Sequence, residues 1–252
     1  MSGSTFVSDT GAVFSRELRP VLRDPFSVIF SMVQPLIFLA LFAPLLPDSV
    51  VGGSALQWFV PSILVMSCLF GASATGSNLL FEIQTGSHER MLVSPLSRPA
   101  LIVGRALKEI VPMFAQALII VLVAVPFGFR LNVAGALLGL VILGVFSVGI
   151  GALSYTLALA SKNKEWLFWT VQQTVLFPVL LLAGMMLPVE GGPAWLRTAS
   201  LFNPLTYVVD AQRALFGGEL MSATVAGGLA AALLVAVAGL AIGTRAIRRA
   251  GA

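Results

Sequence analysis

Six stretches without a single Asp, Glu, Lys or Arg run through the chain, at 26–47, 58–81, 110–129, 134–160, 166–189 and 220–244. Each holds 20 residues or more, the length an α-helix needs to cross a hydrocarbon core of about 30 Å. Backbone groups inside lipid meet no water, so a spanning segment must bond to itself as a helix or close into a barrel. Barrel strands are about 10 residues long and alternate in polarity, and none of the six stretches alternates. The pattern predicts an all-α membrane protein of six transmembrane helices, one domain over 1–252. Composition agrees, with 10% of residues charged against about 25% in a soluble domain.

The basic residues set an orientation. With the N-terminus inside, that side holds Arg16, Arg19, Arg23, Arg90, Arg98, Arg105, Lys108, Lys162, Lys164, Arg245, Arg248 and Arg249, and the other side only Arg130, Arg197 and Arg213. The excess recurs at every loop in turn, as the positive-inside rule requires. Snorkelling at span ends on either face gives no such alternation. Both termini are therefore expected in the cytoplasm. Residues 1–25 carry Asp9, Arg16, Glu17, Arg19, Arg23 and Asp24 and lack the apolar core of a cleavable signal peptide, so the first span is expected to stay as an anchor. The lone cysteine, Cys68, lies within the second span. It excludes an internal disulfide or a cysteine metal cluster and reads as a small buried apolar residue.

Several chemistries are absent from the sequence. None of the three lysines, Lys108, Lys162 and Lys164, ends a GxxxxGK[ST] loop, so the polypeptide has no phosphate-cradling P-loop. Its one histidine, His88, falls on a cytoplasmic loop, where it builds no Ser/His hydrolase within the bilayer. The central thirds of the spans carry no Asp, Glu, Lys or Arg, the usual mark of ion-coupled carriers, although a backbone-carbonyl ion site stays open. No catalytic residue, metal or cofactor is expected in this chain. Energy for any uphill movement is expected to come from another polypeptide.

The segments between the spans are more informative. Residues 10–24 place Val13, Phe14, Leu18, Val21 and Leu22 on one face and Arg16, Glu17, Arg19 and Arg23 elsewhere, the pattern of an amphipathic helix along the inner membrane surface. It serves either as a basic anchor on anionic lipid or as a platform for a soluble partner. The longest cytoplasmic connection, 82–99, contains a stretch at 87–94 bracketed by Gly86 and Pro95. With Ser87 at an N-cap position and Glu89 in the first turn, this stretch reads as a two-turn helix able to act as a lever, or as a solvated loop.

On the outer side, 190–219 is too apolar for a free loop, with Trp195, Leu201, Phe202, Leu205, Val208 and Phe216 among its residues. It is expected to lie in the interface or re-enter the bilayer, and a passive hairpin with a Trp belt is the alternative. Asn203 and Pro204 suit the N-cap and first position of a short helix, and Asp210 and Arg213, three apart, can pair on one face. Ser67, Gly71, Ala74 and Asn78 recur at helical spacing on the second span, as do Thr170, Gln173, Thr174 and Phe177 on the fifth. They line an amphiphilic cleft or serve as packing surfaces, like the Gly135-x-x-x-Gly139 and Gly239-x-x-x-Gly243 repeats. Pro178 is expected to kink the fifth span.

Four motifs carry a resemblance: Arg23-Asp-Pro25 after the amphipathic segment, Gly86-Ser-His-Glu-Arg-Met-Leu-Val-Ser-Pro-Leu-Ser-Arg98, Gly184-Met-Met-Leu-Pro188 and Asn203-Pro-Leu-Thr-Tyr207. In this order over six spans the sequence resembles the permease of type-2 ABC exporters, in the branch of daunorubicin-resistance and nodulation lipo-oligosaccharide export permeases. The resemblance implies that 87–94 is a coupling helix whose Ser87, His88, Glu89, Arg90, Met91 and Leu92 dock on a separate ABC ATPase subunit. Arg16, Glu17, Arg19 and Arg23 would flank that contact. It implies re-entrant outer helices whose Asn203, Pro204, Tyr207, Asp210 and Arg213 form an external gate. Two ATPase subunits carrying ATP and Mg, and a second permease, identical or paralogous, would complete the assembly in a bacterial inner membrane.

The cargo so implied is a hydrophobic or amphiphilic compound, drug-like, lipid or glycolipid, moved outward. An uncharged path past Ser67, Asn78, Thr170, Gln173 and Phe177 suits it. Membrane lipid is the remaining expected contact, and no nucleic-acid partner is expected. A self-sufficient secondary carrier or lipid scramblase is the competing reading, set apart by whether a P-loop ATPase is recovered with the chain.

Overall fold

A computed structural model describes residues 3–45, 54–86, 98–162 and 164–250. Among these residues every regular element is a helix. In chain order they are α1 (Gly3–Arg23), α2 (Pro25–Ser31), α3 (Val33–Phe42), α4 (Ala55–Gln84), α5 (Arg98–Lys108), α6 (Ile110–Ala124), α7 (Val133–Ala160), α8 (Glu165–Leu182), α9 (Ala194–Leu201), α10 (Pro204–Phe216) and α11 (Ala223–Ala250). Five stretches among the described residues are long and apolar enough to cross a membrane: Ala55–Gln84, Pro99–Phe127, Val133–Ala160, Glu165–Leu182 and Ala223–Ile247. Ile29–Leu45 is a shorter apolar helical stretch.

Two of the expected spans are modified by proline. The stretch 26–47 is broken at Met32, between α2 and α3. Pro35 has no N–H to give the Ser31 carbonyl, and its ring crowds that carbonyl. The helix restarts with the Leu36 N–H bonded to the Met32 carbonyl at 2.9 Å. Pro112 does the same to Lys108, so α5 and α6 meet at a turn on Glu109. The third helical stretch therefore begins about a dozen residues earlier than the expected 110, and Arg98–Lys108 is helix rather than loop. The amphipathic helix is also longer than the expected 10–24. The fifth helix is shorter than 166–189, because Gly184 adopts φ +64° just beyond Leu182 and turns the chain.

α4 runs through the centre of the bundle, with Phe59 to Leu69 almost wholly buried. α7 packs against both α4 and α11, and α10 covers the ends of all three that the charge pattern predicts to be outer. Lipid tails are as apolar as Leu, so helices in a bilayer associate through close packing of small residues rather than by escaping water. A Cβ added to Gly149 of α7 would lie 2.6 Å from the backbone nitrogen of Ala236 and the carbonyl of Val235 on α11. Hydrogen there lets the two backbones touch. At the inner end, a Cβ on Gly104 of α5 would stand 2.8 Å from the Val13 side chain of α1, so the same device lays the N-terminal helix on α5.

Candidate functional site

The end of the bundle expected to be the inner one carries the two roots of the segment between α4 and α5. Residues 87–97, and with them Ser87, His88, Glu89, Arg90, Met91 and Leu92, lie outside the described residues. Their two roots are described. α4 ends at Gln84, and Gly86 at φ +69° takes the chain out of the helix, a conformation that glycine adopts without steric cost. The second root is α5, whose Ala100, Leu101, Ile102, Ala106 and Arg105 are all buried.

Arg105 is the centre of a polar cluster. Its Nε lies 3.4 Å from Glu17 Oε1 of α1, and its Nη2 pairs with Glu82 Oε2 near the foot of α4. The guanidinium carbon sits 5.3 Å from the centroid of the Tyr155 ring on α7. A guanidinium is flat, always charged and forked, so one side chain can bond two carboxylates and stack on an aromatic face. Lys108 Nζ is 3.4 Å from Glu109 Oε1, and the Thr75 hydroxyl of α4 donates to that same oxygen at 2.8 Å. The Gln84 amide donates to Glu165 at the start of α8. Polar side chains thus tie the inner ends of α1, α4, α5, α7 and α8. Arg105 is 3% exposed and Glu109 6%, and charges buried this far cost several kcal/mol each in desolvation. Ionisable groups buried and paired in this way make the cluster a candidate functional site. Beside the cluster is a cleft of about 440 Å³ that includes Glu17, Asp24, Asn78, Glu82 and Lys108. Arg16, Arg19 and Arg23 are exposed on α1, whereas Glu17 is half-buried in the cluster.

The outer end has a second arginine. Asn203 accepts from the Leu205 N–H at 3.1 Å, which caps α10, and donates to the Val179 carbonyl of α8 at 2.7 Å. Pro204 occupies the first turn, and the Tyr207 hydroxyl donates to the Leu201 carbonyl at 2.9 Å, so α9 and α10 form a hairpin pinned to α8. Arg213 Nη1 pairs with Asp210 at 3.6 Å, and its stronger partners are remote in sequence. Nη2 donates to Ser62 Oγ and to the Gly184 carbonyl, each at 2.8 Å, and the guanidinium lies 3.7 Å from the Trp58 ring centroid. Pro61 removes one backbone donor from α4 and splays the preceding turn. The Trp58 carbonyl in that turn accepts from Arg213 Nε at 3.4 Å.

The residues grouped as a path do not share one surface within the chain. Ser67 is buried against the core, and Asn78 faces the inner cleft beside Glu17. Thr170, Gln173 and Phe177 lie on the open face of α8 with Trp169, Thr174 and Leu181, all exposed. Glu82, Arg105, Glu109 and Tyr155, together with Trp58 and Ser62, are the residues that sequence reasoning passed over. Arg105 carried one legible signal, since it follows Leu101 and Ile102 by four and three residues and so falls on the apolar face of its own helix.

Residues 8–216 match the family described as ABC-2 type transporter. The chain is similar to a putative transport permease, ycf38, of Cyanophora paradoxa, with 29% identity over 218 residues that cover 84% of this chain and 75% of that protein. It is similar to YbhR of Escherichia coli K12, a probable multidrug ABC transporter permease, with 27% identity over 64% of this chain and 44% of the relative. DrrC of Mycobacterium tuberculosis, a probable doxorubicin resistance ABC transporter permease, is 24% identical over 86% of this chain and 80% of its own length.

Proposed function

The chain belongs to the ABC-2 type transporter family, and on that premise we propose that it is the permease subunit of an ATP-driven exporter. Its cargo is a hydrophobic or amphiphilic compound, carried outward across a bacterial inner membrane with both termini of the chain in the cytoplasm. The observation that carries this reading is the match over 8–216, which takes in the N-terminal helix, the segment 87–97 and the outer hairpin together. The names of YbhR and DrrC, which refer to multidrug and doxorubicin-resistance transport, support the class of cargo. A chain without a GxxxxGK[ST] loop draws on a partner for ATP and Mg. Two ABC ATPase subunits and a second permease, identical or paralogous, complete the transporter.

In this reading Ser87 to Leu92 dock on the ATPase, and Arg16, Arg19 and Arg23 border the contact. Asn203, Pro204, Tyr207, Asp210 and Arg213 form the outer gate. The face of α8 bearing Thr170, Gln173 and Phe177 meets the second permease and lines the path between the two. Polar side chains turned to lipid have no bonding partner there, and a facing copy supplies one.

Affinity purification from native membranes tests the assignment. Recovery of a P-loop ATPase with the chain supports it, and a single-chain oligomer that moves cargo on an ion gradient alone refutes it. Replacing Glu89→Ala together with Arg90→Ala is expected to detach or uncouple the ATPase while thermal unfolding of the permease stays unchanged.

A further inference from the structure

We propose that Arg105 is the positioning residue of energy coupling: by holding Glu17 and Glu82 on one guanidinium, it makes the N-terminal helix and the central helix move as one body. The inference rests on the reading that 87–97 receives the partner ATPase. Any displacement of that segment is delivered to its two roots, α4 and α5. α1 and α5 are already a unit, since they pack along their length with Val13 seated over Gly104. α4 and α5 touch each other little. The Arg105–Glu82 pair therefore bridges the α1–α5 unit to α4 near the two roots of the segment. A second bridge, Thr75 to Glu109, lies seven residues up α4, about 10 Å nearer the bilayer centre at 1.5 Å per residue.

The chemistry of the hub fits this task. A guanidinium keeps its charge at any pH a cell meets, so the hub side chain itself does not titrate. At 3% exposure, parting Arg105 from its carboxylates leaves a buried charge without compensation, which makes the joined arrangement discrete rather than gradual. The Tyr155 ring under the guanidinium extends the contact to α7, which packs along α11. A shift at 87–97 thus meets, at Arg105, one side chain shared by α1, α4, α5 and α7.

The test uses the full permease reconstituted with its ABC ATPase in lipid vesicles, with Arg105→Gln, Arg105→Lys and Glu82→Gln compared with the native chain. Three quantities are read: recovery of the ATPase, ATP hydrolysis per complex, and the distance between spin labels at Ser15→Cys and Thr85→Cys in a Cys68→Ser background. Arg105→Gln is expected to retain the ATPase but lower hydrolysis by about tenfold, within the usual range for coupling between two sites. Its label distance splits on ATP binding, where that of the native chain stays single. Arg105→Lys, which keeps the charge but not the fork, is expected to recover part of the rate, a rescue that a purely volumetric role does not predict. If Arg105→Gln does not fold, Glu82→Gln carries the same expectation, because it opens the same bridge from its more accessible end.

Native hydrolysis and an unsplit distance in both Arg105→Gln and Glu82→Gln overturn the inference. The Glu89→Ala, Arg90→Ala pair separates the two ways of failing. If that pair uncouples the ATPase and the Arg105 and Glu82 variants do not, only the role of Arg105 falls. If that pair also leaves hydrolysis unchanged, the docking assignment falls and takes the role of Arg105 with it.

Discussion

Replacing Arg213→Ala removes the side chain that joins the outer hairpin to the central helix, and its contacts set the size of the effect. Two hydrogen bonds from the guanidinium, to Ser62 Oγ and the Gly184 carbonyl, are each 2.8 Å long. A hydrogen bond to a charged group contributes about 1.5 kcal/mol or more. The face-on contact with Trp58 at 3.7 Å adds about 1 kcal/mol. The Asp210 pair adds little, because Asp210 is 46% exposed and water screens it. Together the contacts hold the hairpin against α4 and the turn after α8 by about 4 kcal/mol, so losing them raises its open population by about a thousandfold at 1.4 kcal/mol per factor of ten. Amide hydrogen exchange over Ala194–Phe216 in lipid nanodiscs reads that population directly. Arg213→Lys, which keeps the charge without the fork, is expected to fall between the native chain and Arg213→Ala, and Asp210→Asn to change exchange by less than about threefold. Exchange in Arg213→Ala equal to that of the native chain, or an Asp210→Asn effect as large as that of Arg213→Ala, refutes the assignment of Arg213 as the fastening of the hairpin.

Gly149→Ala is expected to lower the thermal stability of the detergent-solubilised chain by about 1–3 kcal/mol, since its methyl would fall on the α11 backbone and overpack the α7–α11 contact; an unchanged melting curve refutes the close approach. For the α8 face, Gln173→Cys in a Cys68→Ser background is expected to cross-link two copies in native membranes. Val141→Cys, on an exposed apolar position of α7, is not. Equal cross-linking at both positions refutes α8 as the meeting surface.

What the sequence disclosed and what it concealed divide along a physical line. The long helices were legible because lipid leaves an uncharged run of that length few other ways to satisfy its backbone. The cap at Asn203 was legible because a cap is a bond between residues two apart. The break at Met32 was not read, since the charge pattern there is uniform; its signal was Pro35, four residues after the carbonyl it displaces. The start of the third helical stretch was missed for a related reason. Arg98, Arg105 and Lys108 were counted as loop charges, and a charge on a helix that enters the membrane interface looks the same in a count. Spacing paired Arg213 with Asp210, and that pair forms at 3.6 Å. It could not reveal Trp58 and Ser62, which stand some 150 residues earlier in the chain.

Those remote partners change what α4 is. From Ser62 to Glu82 it climbs 20 residues, about 30 Å at 1.5 Å per residue, which is the thickness of the hydrocarbon core. Arg213 meets its outer end through Trp58 and Ser62, and Arg105 meets its inner end through Glu82. Between these points the helix is unbroken and most of its residues are buried among its neighbours. An enclosed helix has little freedom to bend, so a displacement applied at one end arrives at the other as a translation or rotation of the whole. On the proposed coupling, the two arginines are the points at which such a motion would enter and leave. Variants of Arg105 and Arg213 lie too far apart to share partners, yet they act on the same rod. Their effects on outer-hairpin exchange, measured with ATP bound, are therefore expected to be non-additive. Strict additivity in the Arg105→Gln, Arg213→Ala double variant would show that the two ends of α4 move independently.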